Sequence, residues 1–114
     1  EIGVRLVGSE MCIRDREFST VFNALMQKET KDQSFQNAMY QQHFLQQLWQ
    51  DTVGYVGCEL IRRTLGWAQA EELKKLPDSS FKIQTQRQLL ALGQDFIMHR
   101  RHMTPEQLLA KLAL

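Results

Sequence analysis

Sulfur for cross-links is scarce in this sequence. Its 114 residues include only two cysteines, Cys12 and Cys58, too few for a disulfide framework and suited to a reducing, cytoplasmic setting. Charge of one sign is missing as well. Fourteen Lys and Arg face thirteen Asp and Glu, a net +1, so no global field draws the chain to nucleic acid or to an anionic membrane. No apolar run approaches a membrane span, and the N-terminus lacks the basic start and continuous apolar core of a signal peptide. Repeats and low-complexity tracts are absent, and no convincing strand alternation follows Arg16. What remains is a soluble composition, 43% apolar and 24% charged, with enough length for one domain and too little for two.

The periodicity that is present is helical. Phe18, Val21, Phe22, Leu25 and Met26 fall at i, i+3, i+4, i+7 and i+8, one apolar face of a short helix. "KETKDQS", Lys28 to Ser34, reads as its loop. A second helical region starts near Asn37 with Met39, Tyr40, Phe44, Leu45, Leu48 and Trp49, and "GYVGCELIRRTLG", Gly54 to Gly66, follows it directly. At about 100° per residue, Val53, Gly57, Leu60, Ile61, Thr64 and Leu65 form one stripe, and Tyr55, Glu59, Arg62 and Arg63 form the opposite side. Leu45, Leu48 and Trp49 project onto that polar side. Either the helix breaks near Gln50 to Thr52, or it is covered on both sides by something larger. Gly54 and Gly57 each cost about 1 kcal/mol inside a helix, which predicts another backbone close by.

Gly66 is placed for a helix C-cap. "AQAEELKKLP" predicts a short helix that ends before Pro77, and Asp78 to Ser80 offer N-caps for a long helix with the stripe Leu89, Leu92, Gly93, Phe96 and Ile97. Thr104, Pro105 and Gln107 fit N-cap, N1 and N3 of a last helix, with Leu108, Leu109 and Leu112 as its apolar positions. The predicted architecture is all-α, about five helices. Cys58 is expected to pack on the apolar stripe, Trp49 and Phe44 to be core, and Asp51 to cap a helix or bind a ligand, with capping favoured. His99 and His102, three apart, have no third ligand nearby for a metal. His43 has no obvious partner. The basic run around them lacks the interleaved aromatics of a nucleic-acid surface.

On these grounds Arg62 and Arg63 are ordinary helix-end charges. Glu59 sits three and four residues before them, a favourable ion-pair spacing, and cations complement a helix C-terminus. Two resemblances alter that picture. Residues 6–16, "LVGSEMCIRDR", show no sustained periodicity and resemble the conceptual translation of a transposase adapter used in preparing sequencing libraries. Residues 1–16 are therefore expected to be non-native, 17–114 to be a helical fragment, and the natural chain to extend upstream. "LWQDTVGYVGCELIRRTLG", Leu48 to Gly66, resembles the C-terminal lobe of the S-methyl-5-thioribose kinases through Trp49, Asp51, Gly54, Tyr55, Gly57, Glu59, Ile61, Arg62, Arg63 and Gly66. A looser likeness runs from Glu17 to the C-terminus, including "QRQLLALGQDFI", Gln86 to Ile97.

The resemblance implies the C-lobe portion of a two-lobed, protein-kinase-like α+β fold. The implied activity is transfer of the γ-phosphate of ATP, with Mg²⁺, to the anomeric hydroxyl of methylthioribose, in methionine salvage, by a cytoplasmic homodimer. It makes Arg62 and Arg63 the substrate-binding candidates, one contacting the sugar while the other pairs with a carboxylate. Catalytic, nucleotide-binding and metal-binding residues are not expected in this chain: after Arg16 it has no Gly-rich loop, strand lysine, His-x-Asp loop or acidic metal motif. Alone it is therefore expected to be inactive, and poorly soluble through the exposed faces of Phe44 to Trp49. One departure stands out. Where the family continues Leu-Ala-His-Val after Gly66, this chain has Trp67, Ala68, Gln69 and Ala70. Two other readings of the chain stand beside this one, a non-catalytic helical interaction module and a kinase of the aminoglycoside and choline phosphotransferase type.

Overall fold

A computed structural model describes residues 11–113, with side chains from Arg16 onward. Five α-helices occur among these residues, with no strand: α1 (Met11–Glu29), α2 (Ala38–Thr64), α3 (Glu71–Lys74), α4 (Ser80–His99) and α5 (Pro105–Leu112). Short 3₁₀ turns at Gln33–Gln36, Gly66–Ala68 and Arg100–His102 connect them. The all-α expectation holds. The adapter-like segment lies partly outside the described residues. Its last part does not behave as the lack of periodicity predicted, since α1 already begins at Met11. A helix nucleated downstream extends at little cost per residue, with or without a buried face.

Helix starts and stops follow local chemistry. Asn37 caps α2 by accepting from the amides of Met39 (2.9 Å) and Tyr40 (3.3 Å), and the Ser79 hydroxyl accepts from Lys82 N at the head of α4. Thr104 and Gln107 complete a capping box at α5, with Pro105 in the first turn. Beyond α2, Leu65 is extended and Gly66 takes φ +72°. That left-handed region is costly for any residue with a Cβ, and it ends the helix.

α2 does not break at Gln50 to Thr52. It runs unbroken for 27 residues, so Asp51 lies mid-helix, exposed, and is no cap. The C-terminal half of α2 crosses α4 at a pair of glycines. A Cβ on Gly57 would lie 2.6 Å from the Gly93 carbonyl oxygen, and one on Gly93 would lie 2.8 Å from that of Gly57. The backbone approach predicted from the glycines is therefore real at Gly57. Gly54 instead faces the Arg100 side chain, with Cδ 3.2 Å from its would-be Cβ. Around the crossing, Val53, Val56 and Leu60 of α2, Leu89 and Phe96 of α4, Leu73 of α3, and Leu108 and Leu112 of α5 are buried. Trp49 joins from the rim, and its Nε1–H donates to the Met103 carbonyl at 2.6 Å, fastening α2 to the segment before α5.

Two stripe assignments need correction. Cys58 is exposed, because it lies one step, about 100°, past Gly57 and off the crossing. Leu65, assigned to the same stripe, is also exposed, since the chain has already left helical geometry there. α1 finds little cover. Phe18, Val21 and Leu25 remain about half exposed, and its main attachment is Phe22 stacked on Phe44, ring centroids 5.4 Å apart, with Phe35 edge-on to Phe44. The radius of gyration is 17.1 Å, against about 13 Å for a compact domain of this length.

Asp95 joins α4 to α5. Its carboxylate accepts from Lys111 Nζ and shares a 2.8 Å hydrogen bond with His99 Nδ1. The hydrogen bond from Lys111 is the main cause holding the Asp95 carboxyl below its ordinary value of 3.8. Partial burial opposes this, and the His99 bond adds to it.

Two outcomes follow for denaturant titrations. Gly57→Ala or Gly93→Ala lowers stability by about 1–3 kcal/mol through overpacking. Gly54→Ala stays within about 1 kcal/mol of the parent, because the flexible Arg100 arm can shift and alanine favours the helix; equal losses at all three sites would contradict the crossing. Asp95 has a depressed folded-state value, so its contribution is fully present above the unfolded value and is lost as pH falls through the folded one. Asp95→Asn should therefore cost up to about 1 kcal/mol at neutral pH, with the gap from the parent closing on acidification below 3.8. A gap independent of pH would refute the ion-pair origin.

Candidate functional site

The twin arginine sits on the last turn of α2, where the helix leaves its crossing with α4. Consecutive helical side chains diverge by about 100°, and the two guanidiniums meet different surroundings. Arg62 is held by a fork: Nε donates to Glu59 Oε2 at 2.8 Å and a terminal nitrogen to Oε1 at 2.7 Å. Such a two-bond geometry is what guanidinium planarity permits and lysine cannot supply. Arg63 Nε reaches the same carboxylate only at 4.0 Å. The Arg62 hydrogen bonds are the main cause drawing the Glu59 carboxyl below 4.5, and Glu59 in turn raises the Arg62 guanidinium. One arginine is thus pinned and the other keeps most of its donors. Both are accessible, with 60% of the Arg62 side chain and 36% of the Arg63 side chain exposed. The i,i+3 and i,i+4 spacing from Glu59 was legible in the sequence, whereas the unequal sharing was not.

The chain after the pair folds back on it. Ala70 N–H donates to the Arg63 carbonyl at 2.8 Å, and Gln69 Nε2 donates to the Thr64 carbonyl at 3.2 Å. These bonds satisfy carbonyls that a helix end leaves open. Buried Ala70 and Leu73 anchor the far side of the turn. Gln69 also forms one wall of a cavity of roughly 620 Å³ whose other walls come from the start of α4, including Asp78, Ser79 and Lys82. Lys82 donates to Asp78 at 3.0 Å there.

The other residues singled out lie elsewhere. Asp51, Tyr55 and Cys58 line a shallower cleft of roughly 330 Å³ with Gly54, Ile97 and Arg100, along the edge of the α2–α4 crossing. His99 is engaged by Asp95, and His102 is exposed at the connector. No group of three or more His, Cys, Asp or Glu side chains positioned to hold a metal occurs among the described residues. No described helix is long and apolar enough to cross a membrane. Sequence reasoning treated Trp67 only as a departure from the family pattern. In the structure it is the most exposed large apolar side chain of the described residues.

Comparison with known proteins supplies a frame for this site. No family model and no solved structure matches the chain. Curated proteins do. The chain is 44% identical over 81 residues to the methylthioribose kinase of Yersinia enterocolitica, covering 71% of this chain and 20% of that protein. It is 36% identical over 96 residues to the methylthioribose kinase of Pectobacterium carotovorum, covering 83% and 24%. Against that of Erwinia tasmaniensis it is 34% identical over 87 residues, covering 76% and 22%. The chain therefore spans between a fifth and a quarter of the length of these relatives. Over most of its own length the chain is similar to the methylthioribose kinases, and it matches their C-terminal portion.

Proposed function

We propose that the chain is the substrate-side helical part of an ATP-dependent kinase that phosphorylates S-methyl-5-thioribose at its anomeric hydroxyl. In this reading it belongs to the C-terminal lobe of a two-lobed, kinase-like enzyme of methionine salvage that works as a cytoplasmic homodimer. ATP and Mg²⁺ are held by parts of that enzyme outside residues 11–113, and Mg²⁺ there would neutralise phosphate charge. This chain's own contribution is to grip the sugar.

The observation that carries the reading is the unequal pairing of Arg62 and Arg63 with Glu59. Phosphoryl transfer depends on positioning and on positive groups near the phosphate oxygens rather than on covalent chemistry by the protein. A guanidinium locked by a carboxylate fork is pre-oriented, and its neighbour has donors left for a hydroxyl or phosphate oxygen. Arg63 is therefore the ligand-contacting member, and Arg62 with Glu59 sets the end of the helix that presents it. Similarity to proteins named methylthioribose kinase over 71–83% of the chain supports the substrate class.

In the full-length protein, Arg63→Ala should reduce kcat/KM for methylthioribose at least about tenfold, and Arg63→Lys should recover little of it, because a point charge does not replace a planar fork. Arg62→Ala should also lower it about tenfold. Glu59→Gln should act more weakly, about threefold, since it loosens Arg62 without removing a donor. Steady-state kinetics with ATP and methylthioribose measure all four. Unchanged values for both arginine-to-alanine variants would remove the pair from the site.

A further inference from the structure

We infer that Gln69 is a positioning residue for Arg63, holding the last turn of α2 in the conformation that presents this arginine to the sugar. The inference rests on the kinase reading of the twin arginine, in which Arg63 is the ligand-contacting member. Gln69 itself touches no substrate. It acts through the backbone beneath Arg63.

The two arginines are held in place by different means. Arg62 is fixed through its side chain, by the two-bond fork to Glu59. Arg63 has no such fork and reaches Glu59 only at 4.0 Å, so its direction depends on the main chain that carries it. That main chain is the end of a helix, where the last four carbonyls lack intrahelical donors and the turn is prone to fray. Those of Arg63 and Thr64 are among them, since α2 ends at Thr64.

One short stretch of chain supplies both missing donors. Ala70 N–H donates to the Arg63 carbonyl at 2.8 Å, and Gln69 Nε2 donates to the Thr64 carbonyl at 3.2 Å. The first bond is made by backbone and survives almost any change of side chain. The second is made by an amide side chain, and it is therefore the part of the clamp that residue type decides. Each end of this tie is anchored. Thr64 is buried, with its hydroxyl donating to the Leu60 carbonyl at 2.6 Å. Gln69 N–H returns to the Gly66 carbonyl at 3.3 Å, and its neighbour Ala70 is buried. Without the amide, the Thr64 carbonyl loses its side-chain donor directly after the residue that must be aimed. Small misplacements of a ligand-gripping group are costly in rate.

The test is steady-state kinetics on the full-length protein, as parent, Gln69→Ala, Gln69→Met, Arg63→Ala and the double variant Gln69→Ala with Arg63→Ala. Gln69→Met keeps the length of the side chain and removes the donor. Both Gln69 variants should lower kcat/KM for methylthioribose about fivefold, with the KM for ATP changed less than about twofold. In the Arg63→Ala background, Gln69→Ala should cost less than about twofold, because the group it positions is gone. Should Gln69→Ala not fold, Gln69→Met carries both comparisons. Parent-like kcat/KM in the Gln69 variants overturns the inference. So does a loss of the same size that persists without Arg63, or a KM for ATP that rises in step, since either marks a general loosening of the fold. If the parent phosphorylates methylthioribose and Arg63→Ala is impaired while the Gln69 variants are not, only the positioning role fails. If the parent does not act on the sugar, the kinase reading fails and the positioning role with it.

Discussion

The contact on which this structure turns is the mutual approach of two backbones at Gly57 and Gly93. Each glycine's missing Cβ makes room for the other's carbonyl, at would-be distances of 2.6 and 2.8 Å. Small residues at a crossing let helices meet along their main chains, so the side chains on either side interdigitate rather than hold the helices apart. Val53, Val56 and Leu60 then reach Leu89 and Phe96. The crossing also sets the position of the functional end, because the last two turns of α2 run out from it and carry Glu59, Arg62 and Arg63.

Electrostatics is layered on that frame with unequal reach. The Glu59–Arg62 fork spans three residues on a single helix, so it needs no partner from another element. It contributes little to stability at such exposure, and its consequence is orientation. Asp95 with Lys111 spans sixteen residues and exists only once α5 has docked on α4. The first interaction prepares a guanidinium for a ligand. The second helps keep the C-terminal helix against the core.

Large apolar side chains are exposed on α1, α2, α4 and α5, with Phe81, Ile83 and Met98 of α4 and Leu109 of α5 among them. Phe18, Val21 and Leu25 on α1, Leu48 and Tyr55 on the outer side of α2, and Leu65 and Trp67 at its end are all open. Along the unbroken 27-residue α2, Leu48 and Tyr55 stay exposed while Trp49 packs against the core. Matching only a fifth to a quarter of the length of its relatives is consistent with a surface that has more to meet.

The amino-acid sequence by itself determined the features whose cause lies within about one helical turn. The capping box at Thr104, the Asn37 and Ser79 caps, the stop at Gly66, the helical class and the Glu59–arginine spacing all depend on residues three or four apart. Tertiary structure decided the rest. Asp51 was expected to cap, but α2 continues through it because both flanks are held, one by Trp49 and one by the crossing. Cys58 was expected inside, and a single 100° step puts it outside. The Trp49 bond to Met103 joins residues fifty-four apart, and the bareness of Trp67 depends on where a turn tied to Arg63 happens to point. Neither has a local signature, because hydrogen bonds between distant segments and the exposure of a side chain are properties of the assembled fold.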